Sequence, residues 1–348
     1  MSIRELKQVA GSAPQPCCIH VQVESVQVKP TRQGTEFAEM KLADSRDGFT
    51  LRVWGDSPQF STVLRLQVPA FVELKGDWTA SQYGLESKNW TLRTLTEEET
   101  QELLAGSPAL REKQETDFCT IEALTASIAD PRLHGVCRLF LEIHGDRFRR
   151  AAAAREYHHA RRGGLVEHVA QMMRSAAALC TVYTSVNRDL LLAAVLFHDC
   201  GKLWENGYSP TGFAMPYSEH GEMLGHITMG IELVNKLWRG LMDSGETAGW
   251  LALTPASEEV RLHLLHLIAS HHGEYQFGSP VLPKTPEAIL LHHVDNMDAK
   301  LEMMFSAYET GRRLAKNIVE RQRPLPANLV QPLAVFDDAG PRRAAPEA

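Results

Sequence analysis

Apolar residues change their spacing once along this chain, near residue 95, and that change restricts what each part can fold into. Before it, apolar and polar residues alternate, as in Ile19-His20-Val21-Gln22-Val23-Glu24-Ser25-Val26-Gln27-Val28, a run that stops at Pro30. A period of two sends successive side chains to opposite faces, so the run is expected to form a half-buried strand. Further strands are expected at 36–42, 49–54, 70–76 and 89–95, separated by Gly34, Asp47-Gly48, Gly55-Asp56 and Tyr83-Gly84. Beyond residue 117 apolar residues recur at helical spacing through 165–182, 190–204, 223–241, 260–268 and 288–305. Ser257 before Glu258-Glu259, and Thr285 before Pro286-Glu287, mark expected helix starts.

Five short strands suggest a small barrel, and the OB-fold is the commonest five-stranded barrel that binds oligonucleotides. The expected fold class is therefore multidomain α+β: a five-stranded OB barrel over 1–95, a polar linker with a short helix over 96–117, and an all-helical domain over 118–322. The Pro/Ala-rich tail, 323–348, is expected to be disordered. Two domains suit 348 residues, which exceed what one core usually serves. No apolar run approaches the ~20 residues of a membrane span, and the N-terminus lacks the apolar core of a secretory signal. Six cysteines without CxxC spacing read as reduced thiols in a cytoplasm, with Cys17-Cys18 as strand residues rather than half of a metal site. A net charge of −7 argues against strong, delocalised phosphate binding, so any contact with nucleic acid must be local.

The chemistry is concentrated in the helical part, because all of the 15 histidines except His20 lie at or beyond His134. An ordered series runs through it: His168, His198-Asp199, His226, His271-His272 and Asp295. Polar groups that interrupt apolar helices need partners, and imidazoles with carboxylates suit Mn, Co, Fe, Ni or Zn better than Mg. His168 falls in the first turns of a helix opened by Gly163-Gly164, and His198 and Asp199 close an apolar helix ending at Phe197. A carboxylate can bridge two ions. With Asp199 as the bridge, His168, His198 and Asp295 complete one site and His226, His271 and His272 the other. Isolated histidines such as His134, His144, His263 and His266 read as ordinary core or surface residues.

The series resembles the HD-domain metal-dependent phosphohydrolase superfamily, whose signature is a histidine, a His-Asp pair and a later aspartate. The phrases His158-His159-Ala160-Arg161-Arg162-Gly163-Gly164-Leu165-Val166-Glu167-His168, Phe197-His198-Asp199-Cys200-Gly201-Lys202, Gly221-Glu222-Met223-Leu224-Gly225-His226-Ile227, Ser270-His271-His272-Gly273 and Val294-Asp295-Asn296-Met297-Asp298-Ala299-Lys300 are similar to those of the YhaM-type 3'-5' exoribonucleases. Such enzymes join an N-terminal OB-fold to an HD domain, and the likeness covers nearly the whole chain apart from the tail. It implies His168, His198, Asp199 and Asp295 as ligands of the signature, and His226, His271 and His272 as the extra histidines of a two-metal branch. Asp199 is then the catalytic carboxylate, with Lys202 available to a phosphate oxygen and His158 and His159 to the scissile phosphate or terminal nucleotide. Cys200 stands where an aliphatic residue is usual, and Arg161-Arg162 also depart from the family pattern, which touches the substrate-facing surface more than the metals.

The resemblance implies hydrolysis of single-stranded RNA from its 3' end with release of mononucleotides, with single-stranded DNA as a further substrate, Mn or a similar ion as cofactor, and self-association into an oligomer. On the barrel, Phe37, Trp54, Tyr83 and Trp90 are candidates for base stacking and Arg32, Lys41 and Arg52 for phosphates. The competing reading places each aromatic in the core, because half of every barrel strand faces inward. Two other functions are open at this point: an HD phosphohydrolase acting on a free nucleotide or cyclic dinucleotide, and a non-catalytic nucleic-acid-binding adaptor with a metal-stapled scaffold.

Overall fold

The computed structural model describes residues 1–335, apart from Arg32, Arg46, Gln82, Tyr83, Glu156, Gly245 and Glu246. The candidates Arg32 and Tyr83 lie outside the described residues. The alternating segment folds as expected: after α1 (Ile3–Val9) come β1 (Gln15–Pro30), β2 (Glu36–Ala43), β3 (Gly48–Trp54), α2 (Phe60–Leu64), β4 (Ala70–Ser81) and β5 (Gly84–Thr94). All pairs are antiparallel, in the order β3-β2-β1-β4-β5, and β5 comes alongside β3. This meander, helix and returning hairpin is the OB topology. β1 serves two neighbours: Gln15–Val23 pairs with β4, Gln22–Pro30 pairs with β2, and an irregularity between Val23 and Ser25 bends the strand from one to the other. Ile19, Val21 and Val23 face a core shared with Met40, Leu42, Leu51, Leu74, Trp78 and Trp90.

Thr96 closes a capping box with Glu99 at the start of α3 (Glu97–Ala105), and Ser107 caps α4 (Pro108–Ala126). The segment expected as a linker is thus mostly helical. The core face of α4 was hidden by Asp117, which is buried because Lys113 and Arg174 neutralise it at 2.7 and 3.0 Å. There follow α5 (Pro131–Phe148), α6 (Gly164–Val182), α7 (Arg188–Phe197), α8 (Lys202–Glu205), α9 (Glu219–Asp243), α10 (Ser257–Ser270) and α11 (Pro286–Thr310). Thr285 caps α11 through the Ala288 N–H, as expected. Ser257, by contrast, is the first residue of α10 and donates its hydroxyl to the Trp250 carbonyl rather than capping.

α7 is buried on every side from Leu190 to Phe197, the pattern of a central helix, and packs against α6 and α10. Barrel and helices meet at Gln22, whose Oε1 accepts the Phe213 N–H at 2.5 Å, and in a small apolar cluster of Ala43, Leu104 and Phe213. The described residues from Leu301 to 335 belong to a second compact unit. Within it β6 (Arg313–Ala315), β7 (Ile318–Val319) and β8 (Leu329–Val330) form a small sheet, and Ala307, Val319, Leu325 and Leu329 form its core. Order therefore extends past residue 323 where disorder was expected, because Leu325 and Leu329 have an apolar partner in Val319. No helix among the described residues is long and apolar enough to cross a membrane.

Candidate metal centre

Four histidines from four parts of the helical domain turn one ring nitrogen toward Asp199, which is 2% exposed at the end of α7. His198 Nε2 lies 3.2 Å and His168 Nε2 3.9 Å from Asp199 Oδ2, while His226 Nε2 and His271 Nε2 lie 3.5 and 3.7 Å from Oδ1. Asp295 Oδ1 stands 3.4 Å from His168 Nε2. The ring of His272 sits 4.4 Å from that of His271 and 5.1 Å from that of His226. Donor atoms of His168, His198 and Asp295 lie within 4.8 Å of one another, and so do those of His226, His271 and His272. The two oxygens of Asp199 therefore face two separate donor groups.

The other ring nitrogen is occupied in every case. Nδ1 donates to Asp298 Oδ2 at 2.7 Å in His168, to the Val195 carbonyl at 2.8 Å in His198 and to the Ile268 carbonyl at 2.8 Å in His271. In His226 it meets Glu205 Oε2 at 3.0 Å, and in His272 the Phe277 carbonyl at 2.7 Å. These acceptors fix the Nδ1–H tautomer and leave Nε2 as the lone-pair donor, the outer-layer arrangement of metal-bound histidine. Among the described residues, the Nε2 atoms of His168, His198, His226 and His271, and Asp199 Oδ1, are buried without a hydrogen-bond partner. Five orphaned acceptors aimed at one place cost free energy unless a cation satisfies them, so this donor set fits a divalent metal.

Local sequence explains the convergence. Gly225 interrupts α9 with φ 69° and ψ 160°, a left-handed conformation that turns His226 toward Asp199. A side chain at Gly201 would put a Cβ 2.0 Å from the His226 carbonyl oxygen, so only glycine lets the two segments approach. Burial alone would raise the Asp199 carboxyl, but the Lys202 ammonium and the His198 ring hold it well below the usual carboxylate range. Burial likewise opposes a charged His168 ring, yet Asp295 and Asp298 together push it up to about 9. The same carboxylates that hold a proton there favour a metal cation in its place.

The remaining candidates separate clearly. Lys202 is buried and donates to Asp199 Oδ2 at 2.6 Å, so it braces that carboxylate rather than standing free. His159, with φ 46°, donates from Nε2 to Asp298 Oδ2 at 3.0 Å and is directed at that carboxylate, not at an open substrate surface. His158 is half-buried with its ring 5.5 Å from that of His168, and burial, followed by the neighbouring His168 and Lys202 charges, lowers it to about 3. Arg161 pairs with Glu167 at 2.6 Å, and Arg162 donates to the carbonyls of Ser209, Pro210 and Gly212.

On the barrel, Trp90 is corrected: it is 4% exposed within the core, opposite Gly76, and cannot stack on a base. Trp54 is 51% exposed and packs on Phe37 with ring centroids 5.3 Å apart. Lys41 pairs with Glu24 at 2.8 Å, and Arg52 approaches Glu39 at 3.7 Å. Sequence reasoning missed Asp298 and Glu205, which orient His168 and His226. A signal was available, because Asp298 lies three residues, one helical turn, beyond Asp295.

This helical fold with its histidine-aspartate centre defines a protein of the HD-domain class, and the family model described as HD domain matches residues 165–300. The chain is similar to the 3'-5' exoribonuclease YhaM of Bacillus subtilis (strain 168), with 31% identity over 280 residues, 79% of this chain and 82% of that one. It is also similar to the 3'-5' exoribonuclease YhaM of Geobacillus sp. (strain WCH70), with 29% identity over 292 residues, 84% of each chain. The chain belongs to the YhaM family of 3'-5' exoribonucleases, and the resemblance read from its motifs holds.

Proposed function

We propose that this protein is a metal-dependent 3'-5' exoribonuclease that hydrolyses terminal phosphodiester bonds of single-stranded RNA and releases mononucleotides. The observation that carries the reading is the cluster of buried, unpartnered Nε2 atoms around Asp199, each on a ring whose Nδ1 is already committed. His168, His198 and Asp295 are assigned to one ion, His226, His271 and His272 to a second, and Asp199 to both. A set of imidazoles with carboxylates suits a divalent transition ion; Mn is the one the family resemblance implies, with Co, Fe, Ni or Zn as alternatives. When bound, such ions supply a hydroxide near neutral pH and neutralise charge on the phosphate in an in-line displacement.

The chain's own groups set the surroundings of that reaction. Lys202 keeps Asp199 ionised and in place, Asp298 and Glu205 hold the rings of His168 and His226, and the uncharged His158 ring faces the His168 side as a contact for the terminal nucleotide. Exposed Trp54, packed on the half-buried Phe37, is the candidate base-stacking surface of the barrel. The test is Mn-reconstituted protein with a 5'-labelled single-stranded RNA, beside Asp199→Ala, resolved on a denaturing gel. A ladder shortening from the 3' end in the wild type alone is expected. RNA left intact while free nucleotides are hydrolysed would replace the reading with a small-nucleotide phosphohydrolase.

A further inference from the structure

Alternation sorts the residues of β1 onto two faces. Cys17, Ile19, Val21 and Val23 pack with the barrel core, so Cys18, His20 and Gln22 share the outer face. The adjacent cysteines therefore cannot act as a pair, and the companion of Cys18 is His20, two residues along. Antiparallel pairing sets Lys75, Glu73 and Phe71 of β4 opposite these three, in a register unbroken from Gln15 with Trp78 to Val23 with Ala70. Directly opposed residues present their side chains on one face, so the six form a strip. One end of the strip belongs to the joint with the helical domain, because Gln22 accepts the Phe213 N–H and Phe71 packs on the Phe213 ring with centroids 6.5 Å apart.

Metal-binding side chains gather on the rest of the strip. His20 Nε2 lies 3.2 Å from Glu73 Oε2. The Cys18 sulfur, a His20 ring nitrogen and a Glu73 carboxylate oxygen all lie within 4.8 Å of one another. Donors about 2.0–2.3 Å from a tetrahedral ion stand up to about 4 Å apart, so the three need to close by about 1 Å at most. All three residues are partly exposed, which gives an ion a way in. Arg93 is the cation already at Glu73, with contacts of 2.7 Å to Glu73 and to Glu99. Its second carboxylate keeps it paired when Glu73 serves an ion, and Lys75, opposite Cys18, is exposed to screening by water. A divalent ion with one thiolate, one carboxylate and a neutral imidazole is uncharged as a unit, and the thiolate selects zinc over Mn or Mg.

We propose that Cys18, His20 and Glu73 form a zinc site on the outer face of the barrel, with the fourth position of the ion left to water. The site shares no residue with the histidine-aspartate centre and stands whether or not the exoribonuclease reading does. Its role is to clamp β1 to β4 beside the joint with the helical domain, since Gln22 and Phe71 follow His20 and Glu73 on the same strip. A second link leads the same way: Glu73 holds Arg93, Arg93 holds Glu99, and Glu99 closes the capping box that starts α3.

The test is titration of the full-length, Mn-loaded protein with Co(II), which takes the place of zinc at tetrahedral sites and gives a near-ultraviolet charge-transfer band only when a thiolate binds it. No cysteine is among the donors gathered around Asp199, so Co(II) exchanging for Mn there adds nothing to the band. A band that saturates at one equivalent and is abolished by added zinc is expected in the wild type. Cys18→Ser should remove it, and His20→Ala should weaken Co(II) binding by more than the about 10–100-fold that loss of an outer partner costs. Both changes fall on the outer face and leave the barrel core intact. Cys17→Ser and Cys119→Ser, which alter a thiol packed on the core and an exposed thiol of α4, should keep the band. Absence of a band in the wild type, its survival in Cys18→Ser or its loss in Cys119→Ser would each overturn the proposal.

Discussion

Replacing Asp298 tests the logic of the metal centre without touching a proposed ligand. Its Oδ2 accepts from His168 Nδ1 at 2.7 Å and from His159 Nε2 at 3.0 Å, and both rings are buried. In Asp298→Ala the His168 Nδ1–H is left without an acceptor at a position with no access to water, which costs about 1–3 kcal/mol. The ring also loses what fixes its tautomer and the carboxylate that strengthens its lone pair. Loss of such an outer partner typically lowers metal affinity about 10–100-fold, or about 1.4–2.8 kcal/mol. Asp298→Asn retains an acceptor oxygen without the charge and should fall near the lower end of that range. The assay is calorimetric titration of metal-free protein with Mn, followed by RNA hydrolysis against Mn concentration. A positioning role predicts that saturating Mn restores most of kcat in Asp298→Asn, because no group that touches substrate has been removed. A Kd for Mn unchanged in Asp298→Ala would refute the argument that Nδ1 partners prepare Nε2 for the ion.

Four other outcomes follow from the same structure. Chelating the metal should lower the thermal midpoint, with about 2.7 kcal/mol of stability regained at a free Mn concentration of 100 Kd, and Asp199→Ala should abolish that response in differential scanning fluorimetry. Glu167 is fully buried and, although burial favours its neutral form, Arg161, Lys113 and Gln114 bring it down to about 2 from 4.5; its stabilisation, about 3 kcal/mol, is present above pH 4.5 and lost as pH falls toward 2, so Glu167→Gln should flatten acid unfolding in that window. Trp90→Ala should cost about 3–5 kcal/mol in urea unfolding, whereas Trp54→Ala should leave stability near wild type and weaken single-stranded RNA binding by about 1–3 kcal/mol, measured by anisotropy. Gly225→Ala forces a φ of 69° on a residue with a Cβ, so about 1 kcal/mol of stability and the placement of His226 should be lost together, read as a lower Mn affinity.

The sequence was most legible where one residue type has one use. Alternation located all five strands, because a barrel strand cannot shift by one residue without turning its core face outward. Histidines breaking an apolar helix pointed to the donor atoms gathered around Asp199, since such groups have few other reasons to be buried. Legibility failed where a residue has several uses. Trp90 and Trp54 both lie on strands and both read as platforms, yet only the fold decides which face is inside. The first half of the helix over 108–126 was expected as a linker, up to 117, because its residues are so often charged; the buried one, Asp117, is neutralised by Lys113 and by Arg174, fifty-seven residues away. Arg161 and Arg162 stood out in the sequence only as departures from the family pattern, because their partners, Glu167 and the 209–212 carbonyls, are set by tertiary structure.

The paired residues of the centre, His198-Asp199 and His271-His272, share one physical cause. His198 and His271 are the C-terminal caps of α7 and α10, and each returns its Nδ1–H to the carbonyl three residues earlier. That bond satisfies one of the carbonyls a helix end leaves unpaired, and it aims Nε2 onward past the helix terminus. The next residue, freed from helical geometry, turns its own side chain toward the same space. Two helix carboxyl ends thereby converge, each contributing partial negative charge where a cation is to be held. A cap with only one of these properties, an asparagine that pairs the carbonyl or an alanine that merely ends the helix, leaves the centre short of a donor. The histidine in each pair therefore both terminates a helix and presents an unpartnered donor atom, which is why donor and fold can be read from the same two-residue phrase.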